Sequence, residues 1–251
     1  MSEPSTATPP ATETVVAGTD LTKVYGEGEA AVHALAGVTV AFARGSFTAI
    51  MGPSGSGKST LMHVLAGLDT ATSGSVQIDG QTLDGMSDGD LTKLRRDKIG
   101  FVFQAFNLLP VLSAEENITL PLSIAGETPD PDWLETLIGA VGLGDRRTHR
   151  PAELSGGQQQ RVAVARSLVS KPAVVFADEP TGNLDSASSH EVLALLRRAV
   201  DEFGQTVVMV THDATAASVA DRTVFLADGK VVRDEGHMDA AQILDALKAA
   251  E

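Results

Sequence analysis

The chain has 251 residues, 43% of them hydrophobic and 4% aromatic, with 33 acidic residues against 19 basic ones and a net charge of −14. That balance opposes direct binding to a nucleic-acid backbone, which asks for a basic footprint, and one Trp with one Tyr leaves little for base-stacking platforms. Absence of cysteine excludes disulfides and thiolate metal sites, and no stretch approaches the ~18–20 apolar residues of a spanning helix, so direct membrane insertion is not expected.

In chain order, the opening residues MSEPSTATPPATE have neither a basic start nor an apolar run, and predict a disordered tail over 1–13 rather than a secretory signal. Ser46–Met51 (SFTAIM) reads as a strand, followed by a glycine-rich turn and a helix over Lys58–Ala66. Further strands are predicted at Gly74–Ile78, Ile99–Phe103, Val174–Ala177, Thr206–Val210 and Thr223–Ala227, the last closing in a hairpin turn at Asp228-Gly229. From Gln104 to about Glu153 the strand signals stop. A capping-box pattern at Ser113-Ala114-Glu115-Glu116 opens one helix there, and Pro131 opens a second that ends near Gly142. A helix over Ser186–Phe203 carries Val192, Leu193, Leu196, Val200 and Phe203 on one stripe, and Asp239–Lys248, with Ile243, Leu244 and Leu247, predicts a terminal amphipathic helix packed on its own domain. Alternating strands and helices imply an α/β domain around a mostly parallel sheet.

Two of these junctions carry chemistry. Gly52-Pro53-Ser54-Gly55-Ser56-Gly57-Lys58-Ser59 fits G-x-x-x-x-G-K-S/T and stands directly between a strand and a helix. Glycines there let backbone N–H groups turn around a phosphate, and the helix N-terminus adds partial positive charge. Lys58 is expected to reach the β- and γ-phosphates of ATP, Ser59 to ligate Mg²⁺, and Thr60 to lie beside the α-phosphate. The apolar run Val174–Ala177 ends in Asp178 and Glu179, which places two carboxylates at the C-terminal edge of the sheet. Asp178 is expected in the Mg²⁺ shell and Glu179 as the base for the attacking water.

A third motif, Leu154-Ser155-Gly156-Gly157-Gln158-Gln159-Gln160-Arg161, opens another helix with a Ser-Gly-Gly turn and is a second anion nest. It resembles the signature of ABC ATPases, and the resemblance covers Leu21 to about Gly236. It implies a P-loop NTPase (RecA-like) core with an N-terminal antiparallel β subdomain and an inserted α-helical subdomain at about 104–155, within an ATPase domain of 14–236 followed by a helical extension of 237–251. It further implies a head-to-tail homodimer, in which Ser155, Gly156, Gly157 and Gln158 serve the partner's ATP. Gln104 matches the glutamine that touches Mg²⁺ and senses the γ-phosphate. Asp185 matches the loop that crosses the dimer interface, His212 the histidine that hydrogen-bonds the γ-phosphate, and Tyr25 the aromatic that stacks on adenine. The five remaining histidines are scattered and receive no role.

The stretches Phe103–Asn117 and Ala177–Asp185 resemble the MacB and LolD group, ATPases of macrolide and peptide export and of lipoprotein release. Such a resemblance implies a separate permease of few transmembrane helices and a place on the inner face of the cell membrane. Phe106, Leu108, Leu109 and Leu112 then either line the groove that receives the permease or belong to the core of the insertion. Two other readings stay open from sequence: an FtsE-like regulatory ATPase that signals through a membrane partner, and a soluble ABC ATPase. The second is disfavoured, since the chain has no tandem cassette and no basic surface.

Overall fold

A computed structural model of the chain describes residues 13–249, so residues 1–12 of the expected tail lie outside the described residues. Two long strands come first, β1 (Thr14–Tyr25) and β2 (Val32–Ala43), then β3 (Phe47–Met51) and helix α1 (Lys58–Leu65). They are followed by β4 (Ser73–Ile78), the two-residue β5 (Gln81–Thr82), α2 (Asp88–Lys98) and β6 (Ile99–Phe103). Next come α3 (Ala114–Ala125), α4 (Pro131–Ala140), α5 (Gly156–Leu168), β7 (Val174–Asp178) and α6 (Ser186–Asp201). The chain closes with β8 (Val207–Val210), a short α7 (Ala214–Ala217), β9 (Arg222–Ala227), β10 (Lys230–Glu235) and α8 (Ala240–Ala249).

The central sheet has the order β10-β9-β3-β8-β7-β6, parallel except for β10. Its inner strands β3, β8 and β7 are apolar over most of their length because both faces are covered: Phe47, Ala49, Met51, Val175, Ala177, Val207 and Met209 enter one core, and Ile50, Val174, Phe176, Val208 and Val210 the other. Side chains alternate across a strand, so each residue step changes core. The β9–β10 hairpin turns as expected at Asp228 and Gly229, both with positive φ (47° and 71°). A second sheet, β2-β1-β4-β5, is wholly antiparallel and covers α1 from the other side.

Between β6 and α5 the chain is helical. Ser113 caps α3 through a complete capping box, its Oγ accepting from Glu116 N at 3.3 Å while Glu116 Oε2 accepts from Ser113 N at 2.7 Å. Pro131 is the first residue of α4, whose Trp133 packs edge-on against Phe203 at 5.0 Å and donates to the carbonyl of Val169. Leu108 packs on the core, whereas Leu109 is 44% exposed. In α8, Ile243 is fully buried against the domain, as expected, and Leu244 faces out. Helix α2 was not anticipated: it is strongly polar, with Leu94 its one buried residue, and is set by the Ser87 cap.

Candidate nucleotide-binding site

β3 ends at the mouth of the glycine loop. Gly52 and Gly57 hold φ of 149° and 100°, and a Cβ on either would stand 2.1 Å from the Leu226 carbonyl or 2.3 Å from that of Ala34, so the loop closes only with glycine there. Gly57 then starts α1 with Lys58 as its first residue. The Lys58 ammonium donates to the carbonyls of Gly52 and Pro53, both at 2.9 Å. Burial lowers its pKa, against the opposing pull of Glu179 and Asp178.

β7 delivers the two carboxylates. Asp178 is aligned with Phe103 of β6 and Val210 of β8, which puts Gln104, Glu179 and Thr211-His212 side by side where the three parallel strands end. Oδ1 of Asp178 is buried and has no hydrogen-bond partner, and burial raises the pKa of its carboxyl, while His63 and Ser59 act in the opposite direction. Glu179 sits in the left-handed region (φ 47°), fixed by its N–H to the Val210 carbonyl at 2.9 Å. Its Oε1 meets Nδ1 of His212 at 2.8 Å. Gln104 is held reciprocally by Asn183, donating through Nε2 to Asn183 Oδ1 at 3.1 Å and accepting at its carbonyl from Asn183 Nδ2 at 3.0 Å. This leaves the Gln104 amide oxygen available as a ligand atom.

Tyr25 and the Ser-Gly-Gly turn make their bonds outside that cluster. The Tyr25 hydroxyl donates to Asp69 Oδ2 at 2.6 Å, its ring 43% exposed. Asp69 also accepts from Lys23 at 2.5 Å. Ser155 caps α5 and exchanges hydrogen bonds with Gln158 at 2.9 and 3.3 Å, Gly156 and Gly157 forming the first turn. A Cβ at Gly157 would stand 2.6 Å from Ser188 Oγ, so glycine lets α5 dock on α6. Asp185 caps α6 by accepting from Ser188 N at 3.0 Å and Ser188 Oγ at 2.8 Å, and these bonds hold its carboxyl below the usual range. A cavity of about 610 Å³ opens beside Glu179 and His212, walled by Gly182, Ser189, Leu193 and, from α8, Leu244.

Among the described residues no three His, Asp or Glu side chains converge on a metal position. A magnesium ion nevertheless fits the hard oxygen donors present, since it is commonly held by one or two protein groups together with phosphate oxygens. The partnerless Asp178 oxygen, the exposed Ser59 and the Gln104 amide oxygen are such groups.

A family model described as ABC transporter matches residues 35–182. The chain belongs to the ABC transporter family. As an ABC ATP-binding domain it is an ATPase. It is 48% identical over 227 residues to the macrolide export ATP-binding/permease protein MacB of Marinobacter nauticus, covering 89% of this chain and 35% of that protein. It is 49% identical over 217 residues to the lipoprotein-releasing system ATP-binding protein LolD of Geobacter metallireducens, 86% of this chain and 96% of LolD. This ABC chain therefore spans about a third of MacB and nearly all of LolD. Among solved structures it resembles the dimeric, post-hydrolysis ATP-binding cassette MJ0796 of Methanocaldococcus jannaschii bound to ADP and Pi, with a TM-score of 0.80 and 43% identity over 89% of this chain and 99% of that one.

Proposed function

We propose that two copies of this chain close head-to-tail on Mg-ATP, hydrolyse it, and drive a separate integral-membrane permease for export or lipoprotein release. The observation that carries the reading is the end of β7, where a buried partnerless oxygen on Asp178 adjoins a Glu179 already bonded to His212. In this reading Lys58 exchanges the carbonyls of Gly52 and Pro53 for β- and γ-phosphate oxygens, within the backbone cradle of Gly52 to Ser59 and with Thr60 beside the α-phosphate. Glu179 takes the proton of the attacking water as the bond from the γ-phosphorus to its bridging oxygen breaks. With both ring nitrogens protonated, His212 donates from Nδ1 to Glu179 and from Nε2 to the γ-phosphate. Asp178, Ser59 and Gln104 are the residues that would hold a magnesium ion, which would supply neutralising charge to the β- and γ-phosphates. The exposed ring of Tyr25, tethered at its hydroxyl, stacks on adenine.

Ser155 to Gln158, at the start of a 13-residue helix, serve the partner's ATP, and Asp185 crosses between subunits. Support for a two-fold assembly comes from the dimeric MJ0796 cassette. Support for a permease comes from the names of the relatives and from Leu109, Val111 and Ile124, which are 44%, 71% and 73% exposed on the helical insertion. No helix among the described residues is long and apolar enough to cross a membrane. In the proposed reading the chain works on the inner face of the cell membrane through its permease partner, as the names of the relatives suggest.

Subunit complementation tests this arrangement. Lys58→Ala disables the phosphate loop of its own chain and Ser155→Arg the nest it offers its partner, so each variant alone is expected to lose ATPase activity. Mixing them leaves one intact composite site per heterodimer, and a substantial part of the activity returns. A mixture as inactive as its components overturns the head-to-tail site.

A further inference from the structure

Among the described residues seven non-glycine residues occupy the left-handed region, and three of them, Phe106, Asn107 and Glu179, flank the cluster at the end of the sheet. Backbone in that region persists where surrounding contacts over-determine it. The segments carrying all three are tied down from one helix, α5. The Arg166 guanidinium donates to the Asn107 carbonyl at 2.6 Å and to that of Phe106 at 2.8 Å. The Gln160 amide nitrogen donates to the carbonyl of Phe103, one residue before Gln104, at 3.2 Å, and to that of Pro180, one residue after Glu179, at 2.5 Å.

Gln160 is fully buried. Both neighbours are carbonyls, so the amide nitrogen must face them, and the amide oxygen is left buried with no partner. A side chain serving only to fill this space would be Leu or Met, without the cost of an orphaned acceptor. The amide is needed for the two carbonyls it bridges. Those carbonyls belong to the segments that present Gln104 and Glu179, and the bridge starts two residues beyond Gln158 on the helix opened by the Ser155 turn.

We propose that Gln160 is a positioning residue for hydrolysis: it sets the spacing of Gln104 and Glu179 and conveys to them the seating of the partner's ATP on the turn that opens α5. This rests on the reading of Glu179 as the base and of Ser155–Gln158 as the partner's phosphate nest. When the nest engages phosphate, α5 shifts as a rigid rod, and the amide carries the Phe103 and Pro180 carbonyls with it.

Two replacements separate the amide from its volume. Gln160→Met has similar bulk and no donor, and Gln160→Glu keeps the shape while its carboxyl donates only when protonated. With the intact chain, phosphate release gives kcat, and a fluorescent ATP analogue gives nucleotide affinity. For Gln160→Met the expected result is a fall in kcat of about 10- to 100-fold, as for other groups that orient a catalytic shell, with affinity changed by less than about twofold. For Gln160→Glu, kcat relative to the unsubstituted chain should rise as the pH is lowered from about 8 to about 6, as the carboxyl regains a proton to donate. A Gln160→Met chain that turns over normally overturns the proposal. So does a Gln160→Glu ratio that stays flat with pH, which decides the matter should the Met variant not fold. Failure of the underlying reading shows elsewhere: Glu179→Gln would then retain hydrolysis, or Ser155→Arg would be without effect.

Discussion

His212 and Glu179 are 33 residues apart and meet because Val210 and Asp178, on adjacent parallel strands, are in register. Nδ1 of the imidazole is taken by the carboxylate, which fixes the ring's orientation. Glu179→Gln keeps the size and the left-handed turn but cannot accept the water's proton, so hydrolysis should fall by about 10²- to 10⁴-fold, the usual worth of a general base. Nucleotide binding, which the proposed reading assigns to Lys58 and the glycine loop, should persist, and the variant should accumulate as an ATP-bound dimer on gel filtration. Full turnover by that variant would remove Glu179 from the role of base. Lys58 itself is a poor target for separating steps, because its ammonium also ties together the carbonyls of the loop that it completes.

Among the elements, α3 depends most visibly on its first turn, where Ser113 and Glu116 satisfy one another's backbone donors. Ser113→Ala leaves the Glu116 N–H without its acceptor and should lower stability by about 1 kcal/mol, read as a lower urea midpoint with an unchanged slope. That cap was legible in the sequence, as were the apolar strands and the glycine loop, because each is a local pattern of spacing and turn chemistry. α2 was not: a helix burying only Leu94 has no apolar stripe to read. β1 and β2 were expected only as part of an antiparallel subdomain, and their individual limits were not drawn. In the site, Lys58 and the two carboxylates follow a local pattern of glycine loop and apolar strand, whereas Gln104 and His212 were named only through the resemblance to ABC ATPases. Asn183, Asp69, Gln160 and Arg166 act through contacts made 79, 44, 57 and 60 residues away, and no local pattern encodes those meetings.

At the scale of the whole molecule, Asp79 in the β4–β5 turn joins two regions, accepting from Lys98 at the end of α2 and from Arg44 beyond β2. Those two bonds hold its carboxyl below the usual range. Its folded pKa being depressed, its contribution is present above the ordinary aspartate range near ~4 and is lost as the pH falls through the depressed value. Asp79→Asn, which tolerates the same left-handed backbone (φ 47°), should cost roughly 1 kcal/mol at neutral pH for so partly exposed a pair. The gap to the unsubstituted chain should close on acidification in parallel urea titrations, and a gap independent of pH would count against the ion pairs. The two-sided packing of β3, β7 and β8 bears on how work leaves the molecule. A sheet gripped from both faces behaves as an anvil, and the segments bearing Lys58, Gln104, Glu179 and His212 all leave from one edge of it. A push on any of these segments is therefore spent as leverage on the attached helices rather than as bending of the sheet.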